Sequence, residues 1–209
     1  MRLIVFGATG GTGKHFVQQA LDAGHIVTVV VRNPGSFNIS HHNLDIVKAD
    51  VLQLESFESA MKEQDAVVSS LGTRNTKNVV VYSKGINNII AAMQRYNVQR
   101  VLTITAVPVE NNPRLSFLYK ILTKLLQFFL KDLYADMLRM EQQIKAINFC
   151  WTIVRPPKLT NGMLKNKYRF AINEWLAKCT SISRADLAHF MLAHISDTST
   201  YKSIIEISY

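Results

Sequence analysis

Cysteine is scarce in this sequence: the only two, Cys150 and Cys179, form neither a CxxC pair nor a disulfide framework. No His/Cys cluster has metal-ligand spacing either, so the thiols read as reduced filler and no metal site is expected. Long apolar runs are also missing. The opening run from Leu3 to Phe6 is too short for the core of a signal peptide and passes straight into glycines. No later stretch reaches the ~20 apolar residues of a membrane span, and a cytoplasmic protein is expected. There are five prolines in 209 residues, and they fall at single loop positions such as Pro34-Gly35 or as the pair Pro156-Pro157. No linker therefore divides the chain, which fits one domain with its own core. Basic clusters are absent too. The 24 Lys and Arg against 15 Asp and Glu give a formal charge of +9, but they are scattered and form no nucleic-acid-binding motif. The excess suits an anionic cofactor and an anionic small-molecule acceptor rather than nucleic acid.

What is present is an alternation of strand and helix. Leu3 to Phe6 reads as strand, Lys14 to Ala23 as helix and Ile26 to Val31 as strand, which is a βαβ unit. Further buried strands are expected at Leu44 to Lys48, Ala66 to Ser70, Arg100 to Ile104, Trp151 to Val154 and Ser203 to Ile207. Their continuously apolar character suits parallel strands covered on both faces. Helical spacing predicts helices over Leu54 to Lys62, Ser83 to Tyr96, Asp132 to Ala146 and Arg184 to His194. The fold class is therefore α/β, a doubly wound and mostly parallel sheet of the Rossmann type in one domain.

Directly after the first strand comes Gly7-Ala8-Thr9-Gly10-Gly11-Thr12-Gly13, and a helix follows at once. Glycines at 7, 10 and 13 allow a tight turn, close approach of backbone to a pyrophosphate, and close packing of helix on strand. The free amides at the helix start, aided by the helix dipole, then face the phosphates. Gly11 belongs to the same loop. Thr9 and Thr12 add hydroxyls that either contact the ligand or cap the helix. The spacing is GxxGxxG rather than GxGxxG, so the strand-loop-helix context carries the reading. About 20 residues after such a loop, a carboxylate holds the ribose of NAD. Here the second strand ends in Arg32, whose planar fork suits the 2'-phosphate of NADP. Asp50-Val51 and Leu71-Gly72-Thr73 close the next two strands, at the edge where ligands bind in open α/β sheets.

The Tyr-x-x-x-Lys pair with which many short-chain dehydrogenases pass a proton to or from an alcohol oxygen is absent. Four residues after Tyr82, Tyr96, Tyr119, Tyr134, Tyr168 and Tyr201 lie Ile86, Arg100, Thr123, Leu138, Ile172 and Ile205, and Tyr209 ends the sequence. Ordinary ketone chemistry is disfavoured. The phosphate loop, Val31-Arg32, Asp50 to Gln53, Leu71 to Asn75, Gly85 to Met93, Arg155-Pro156-Pro157, and Asp186-Leu187 with His189 to Leu192 resemble the atypical short-chain dehydrogenases/reductases. Among these the resemblance is to the NADPH-dependent flavin and biliverdin reductases. It implies a monomer in which NADPH and an electron-poor acceptor, flavin, quinone or linear tetrapyrrole, share one cleft. Positioning and electrostatics then carry most of the rate. The resemblance also implies a hydroxyl near the nicotinamide, which Thr105 would supply, although Thr105 could equally just tie down the strand end.

Two departures qualify the likeness. Lys158 stands where the related enzymes carry a histidine, in place to attract an anionic acceptor or to remain a solvated lysine. The stretch from Leu115 to Leu130 is longer and more apolar than its counterpart. Leu115, Leu118, Leu122, Leu125 and Phe129 share one helical face, with Ser116, Lys120, Thr123, Gln127 and Lys131 opposite. The expectation is a helix packed over the cleft as wall or lid, the alternative a helix lying on an anionic membrane or a partner. Arg139 and Glu141 are expected on a solvated helix face, and the histidines outside any metal site. A different class of function also fits: an NmrA-like redox sensor that binds NADP without turnover.

Overall fold

A computed structural model describes residues 1–209. The chain opens with β1 (Arg2–Phe6), α1 (Gly11–Asp22) and β2 (Ile26–Val31). Along β1 successive side chains point to opposite faces. Leu3 and Val5 join a core with Phe16 and Val17 of α1, while Ile4 and Phe6 join the core on the other face. A three-layer sandwich follows from that alternation.

The remaining elements are β3 (Leu44–Lys48), β4 (Ala66–Ser69), α2 (Val81–Arg95), β5 (Arg100–Ile104), α3 (Phe117–Phe129), α4 (Lys131–Lys145), β6 (Cys150–Arg155), β7 (Lys158–Thr160), β8 (Arg169–Ile172), β9 (Ser181–Ser183), α5 (Arg184–Ala193) and β10 (Ser203–Ser208). The main sheet runs β3-β2-β1-β4-β5-β6-β10-β8 and is parallel except for β8, which lies antiparallel to β10. The α/β, doubly wound, mostly parallel sheet expected from the sequence is the fold observed. Helices α1 and α5 cover one face, with α2 and α4 on the other. The winding reverses at β1, which has β2 on one side and β4 on the other. That reversal opens a crevice at the carboxyl ends of β1 and β4.

Three sequence expectations are corrected. Leu44 to Lys48 is a strand, but at the sheet edge, with Asp45, Ile46 and Lys48 exposed rather than buried. Leu54 to Lys62 is not an α-helix but two 3₁₀ turns, Leu54–Ser56 and Glu58–Met61. There Ser56 Oγ donates to the carbonyls of Asp50 and Gln53, which competes with helical pairing. Between the turns Phe57 leaves helical geometry to bury its ring edge-on against Phe6, centroids 5.0 Å apart. The third correction is α3. Leu115 lies before the helix and is buried, but Leu118, Leu122, Leu125 and Phe129 face solvent, while the buried position is Thr123. Gln127 on the same inner side donates to the carbonyl of Pro108 at 2.8 Å. The short strands β7, β8 and β9 were not foreseen.

Carboxylates of α4 hold the start of α2, which has no cap of its own. Asp136 is fully buried and accepts from the amides of Tyr82 (2.9 Å) and Ser83 (3.3 Å), and from the Ser83 hydroxyl. Its charge meets the positive end of the α2 dipole.

Candidate functional site

The turn after β1 is built so that only glycine fits at its two ends. Gly7 has φ +78°, and a Cβ there would lie 2.3 Å from the carbonyl oxygen of Ser70. A Cβ on Gly13 would lie 2.3 Å from the Gly7 carbonyl oxygen. Ser70, just past β4, locks the turn by donating its hydroxyl to the carbonyls of Phe6 (3.1 Å) and Gly7 (3.2 Å). The turn closes with the Gly10 amide on the Gly7 carbonyl at 3.0 Å. Gly10 is the N-cap position of helix α1 and no side chain caps it, so neither Thr9 nor Thr12 serves as one. The amides of Gly11, Thr12 and Gly13 have no protein partner. Free amides at a helix start, with the dipole behind them, form an anion cradle.

Around the cradle the predicted residues converge on the carboxyl edge of the sheet. Arg32 follows β2, is exposed, and makes no hydrogen bond or ion pair with the protein. Asp50 follows β3 and accepts from the Leu52 amide at 3.0 Å, its other oxygen being free. Val51 is buried, and its carbonyl accepts from Asn88 at 2.9 Å. Leu71, Gly72 and Thr73 follow β4, with the Thr73 hydroxyl turned to the Asn75 amide at 3.0 Å. Sequence reasoning missed Arg184. This first residue of α5 packs its side chain over Gly11, where a Cβ would come within 2.5 Å of Arg184 Cδ, and donates to Asn161 at 2.6 Å. Because α1 and α5 pack side by side, a second cation stands at the cradle. Only the tertiary fold brings positions 11 and 184 together.

At the end of β5 the site is different in kind. Thr105 is buried, and its hydroxyl donates to Glu141 at 2.8 Å. Glu141, expected on a solvated face, is fully buried; of the pair only Arg139 reaches solvent. Glu141 is buried because Arg155, at the end of β6, binds it through Nε (2.9 Å) and Nη2. Arg155 Nη1 reaches Glu110 at 2.8 Å. Burial opposes the Arg155 charge, but the two carboxylates outweigh it and hold the guanidinium protonated. The hydrogen bond from Arg155 keeps Glu110 below the usual carboxylate range.

Beside this network lies a cavity of about 190 Å³ lined by Glu110, Arg155, Trp175 and Glu206 among others. Glu206 Oε2 accepts from Asn112 and the Leu176 amide, both at 2.8 Å, but buried Oε1 has no partner. Burial raises its pKa. Lys158, which opens β7, is exposed and unpaired. No group of three or more His, Cys, Asp or Glu side chains is placed to hold a metal ion.

Comparison with known proteins matches residues 7–198 to the family described as NAD(P)H-binding. The chain belongs to the NAD(P)H-binding family. The photosystem II assembly factor Ycf39 of Synechocystis is 27% identical over 119 residues, 54% of this chain and 36% of that protein. The chain spans between 36% and 60% of the length of the curated relatives it matches. Among solved structures, a Veillonella parvula short-chain dehydrogenase/reductase in complex with NADP superposes with a TM-score of 0.81 at 15% identity, covering 100% of this chain and 94% of that one. A Streptococcus pneumoniae protein assigned as an NADH-flavin reductase superposes at 0.78 with 21% identity, covering 100% and 99%. At these identities the structural matches establish the Rossmann-type fold. The family supplies the ligand class, and the cradle of free amides between Gly7 and Gly13 fits the paired phosphates of a nicotinamide dinucleotide.

Proposed function

We propose that this NAD(P)H-binding protein is an NADPH-dependent reductase that passes hydride to an electron-poor small molecule: a flavin, a quinone or a linear tetrapyrrole. The observation that carries the reading is the uncapped start of α1, with unpaired Arg32 on the same sheet edge. Gly7, Gly10, Gly11 and Gly13 let the backbone approach, the amides of residues 11 to 13 bind pyrophosphate, and Thr9 and Thr12 border it. Arg184 adds a cation over Gly11. Arg32 holds the 2'-phosphate, which selects NADPH over NADH. Asp50 and Val51 flank the adenine side, and Leu71 to Thr73 line the floor.

When bound, the reduced nicotinamide supplies the hydride. The protein's own part is orientation and electrostatics. Thr105 borders the nicotinamide end. Because its proton is engaged by Glu141, it offers only its oxygen as an acceptor, and so orients rather than acidifies. An acceptor that already draws electrons suits a site without Tyr-x-x-x-Lys. Lys158, free at the start of β7, is available to an anionic acceptor.

Two measurements test this. Replacing Arg32→Asp is expected to weaken NADPH binding by about 2 kcal/mol, roughly thirtyfold in Kd, and to leave NADH nearly unchanged. Equal weakening of both would overturn the 2'-phosphate assignment. Purified protein offered NADPH with FMN, riboflavin, biliverdin and quinones is expected to oxidise NADPH with at least one; no oxidation with any would defeat the enzyme reading.

A further inference from the structure

Helix α3 is oriented inside out for a globular protein. Its outer side carries Phe117, Leu118, Ile121, Leu125, Phe128 and Phe129, with Phe117 76% and Phe128 73% exposed. At 100° per residue these six fall within an arc opposite Thr123, the one buried position of the helix. Contiguous exposed apolar surface of this kind marks a docking face.

The charges beside the face identify what it meets. Between Glu110 and Asp132 there is no acidic residue, whereas Arg114, Lys120, Lys124 and Lys131 all lie in that span. Lys120 and Lys124 are exposed along one border of the apolar arc. An antiparallel second copy docked on this face would set the two lysine borders against each other, and the net charge of +9 opposes a second copy in any orientation, which disfavours self-association. An anionic surface with an apolar interior satisfies both the lysines and the phenylalanines. At 13 residues the helix is about 20 Å long, too short to cross the ~30 Å hydrocarbon core, and no helix of the structure is long and apolar enough to do so. It can only lie in the interface.

We propose that α3 docks this protein on the surface of an anionic lipid bilayer. The aromatic and leucine side chains enter the acyl boundary, and the lysines reach the headgroups with their stems along the apolar surface. The inner side of α3 packs on the turn Val107–Val109 after β5, at the carboxyl edge of the sheet. Docking therefore brings that edge alongside the membrane. The inference stands independently of the redox chemistry.

The test is flotation of the full chain with phosphatidylcholine vesicles, with and without phosphatidylglycerol. Co-flotation with the anionic vesicles is expected, weaker without phosphatidylglycerol and weaker in high salt. The variant Phe117→Ser/Phe128→Ser/Phe129→Ser should lose it. Lys120→Gln/Lys124→Gln should bind roughly fivefold more weakly per lysine removed. Circular dichroism melts of both variants report that they remain folded, and the lysine variant keeps the test decisive should the triple variant fail to fold. Absence of flotation with anionic vesicles, or flotation unchanged in the variants, would overturn the proposal. So would light scattering that shows a dimer in the absence of lipid which the phenylalanine variant converts to monomer, since the face would then be an interface between copies.

Discussion

Helices α3 and α4 are consecutive, of similar length, and joined at Leu130, yet they treat side chains in opposite ways. The apolar helix turns its phenylalanines outward, and the charged helix buries two carboxylates completely. The difference lies in partners. Asp136 of α4 meets the amides at the start of α2, and Glu141 meets Arg155 and Thr105, so each buried charge is neutralised by hydrogen bonds. The outer side chains of α3 have no protein surface to meet. A hydrophobic stripe shows that a face avoids water, but not that its own chain covers it.

The largest way to break this comparison is at Glu141. Truncation by Glu141→Ala leaves the Arg155 guanidinium buried with only Glu110, and the expected cost is about 3–5 kcal/mol. In a chain of this size that lowers Tm by about 10 °C, read by calorimetry. A loss within 1 °C would mean that the carboxylate is solvated after all. Asp136→Ala is the next largest. It strips the first-turn amides of α2 of their acceptor, and the expected cost is about 2–3 kcal/mol, read as an earlier denaturant midpoint at unchanged slope.

Those two residues also show where the sequence could be read and where it could not. The run Leu3 to Phe6, the glycine turn and the start of α1 are local, each dictated by neighbours within a dozen residues. The first βαβ unit, the positions of the long strands along the chain and the glycine turn were therefore legible. Arg184 over Gly11 is a contact across most of the chain, and Arg155 on Glu141, although only 14 residues apart, joins a helix to the strand after it through tertiary packing; no spacing rule announces either. An i, i+2 placement of Arg139 and Glu141 on a polar-looking helix gave no sign that one was buried and the other exposed. The carboxylate needs a cation delivered by β6, and Arg155, beside Pro156-Pro157, carries no sequence signal of that pairing. The helix expected at Leu54 to Lys62 failed for a similar reason, since burial of Phe57 against Phe6 overrode local propensity.

Between the two helices in kind stands Glu206, a buried acid that is only half satisfied. Burial raises its folded pKa above the unfolded value. The unfolded chain therefore releases this proton at lower pH than the folded one, and stability is lost as pH rises through the folded value. Glu206→Gln keeps an oxygen for Asn112 and Leu176 and cannot ionise. Its Tm is expected to gain on the parent as pH rises above the ordinary carboxylate range, with little difference at the acid end. Parallel curves would show that Glu206 titrates alike in the folded and the unfolded chain, so that burial does not shift it.

The smallest expected effect belongs to α3, and its smallness is what sharpens the contrast. Phe128 is large enough that burial in a core would make its truncation cost about 3–5 kcal/mol. Standing 73% exposed, it has little to lose, and Phe128→Ser is expected to change unfolding free energy by at most about 0.5 kcal/mol. Chemical denaturation of the isolated protein without lipid distinguishes the two values. A core-sized loss at high protein concentration that fades on dilution would mean that copies of the chain cover the helix. A core-sized loss independent of concentration would mean that α3 is folded onto its own domain, and that its apolar stripe obeys the same rule as every other helix of this sheet.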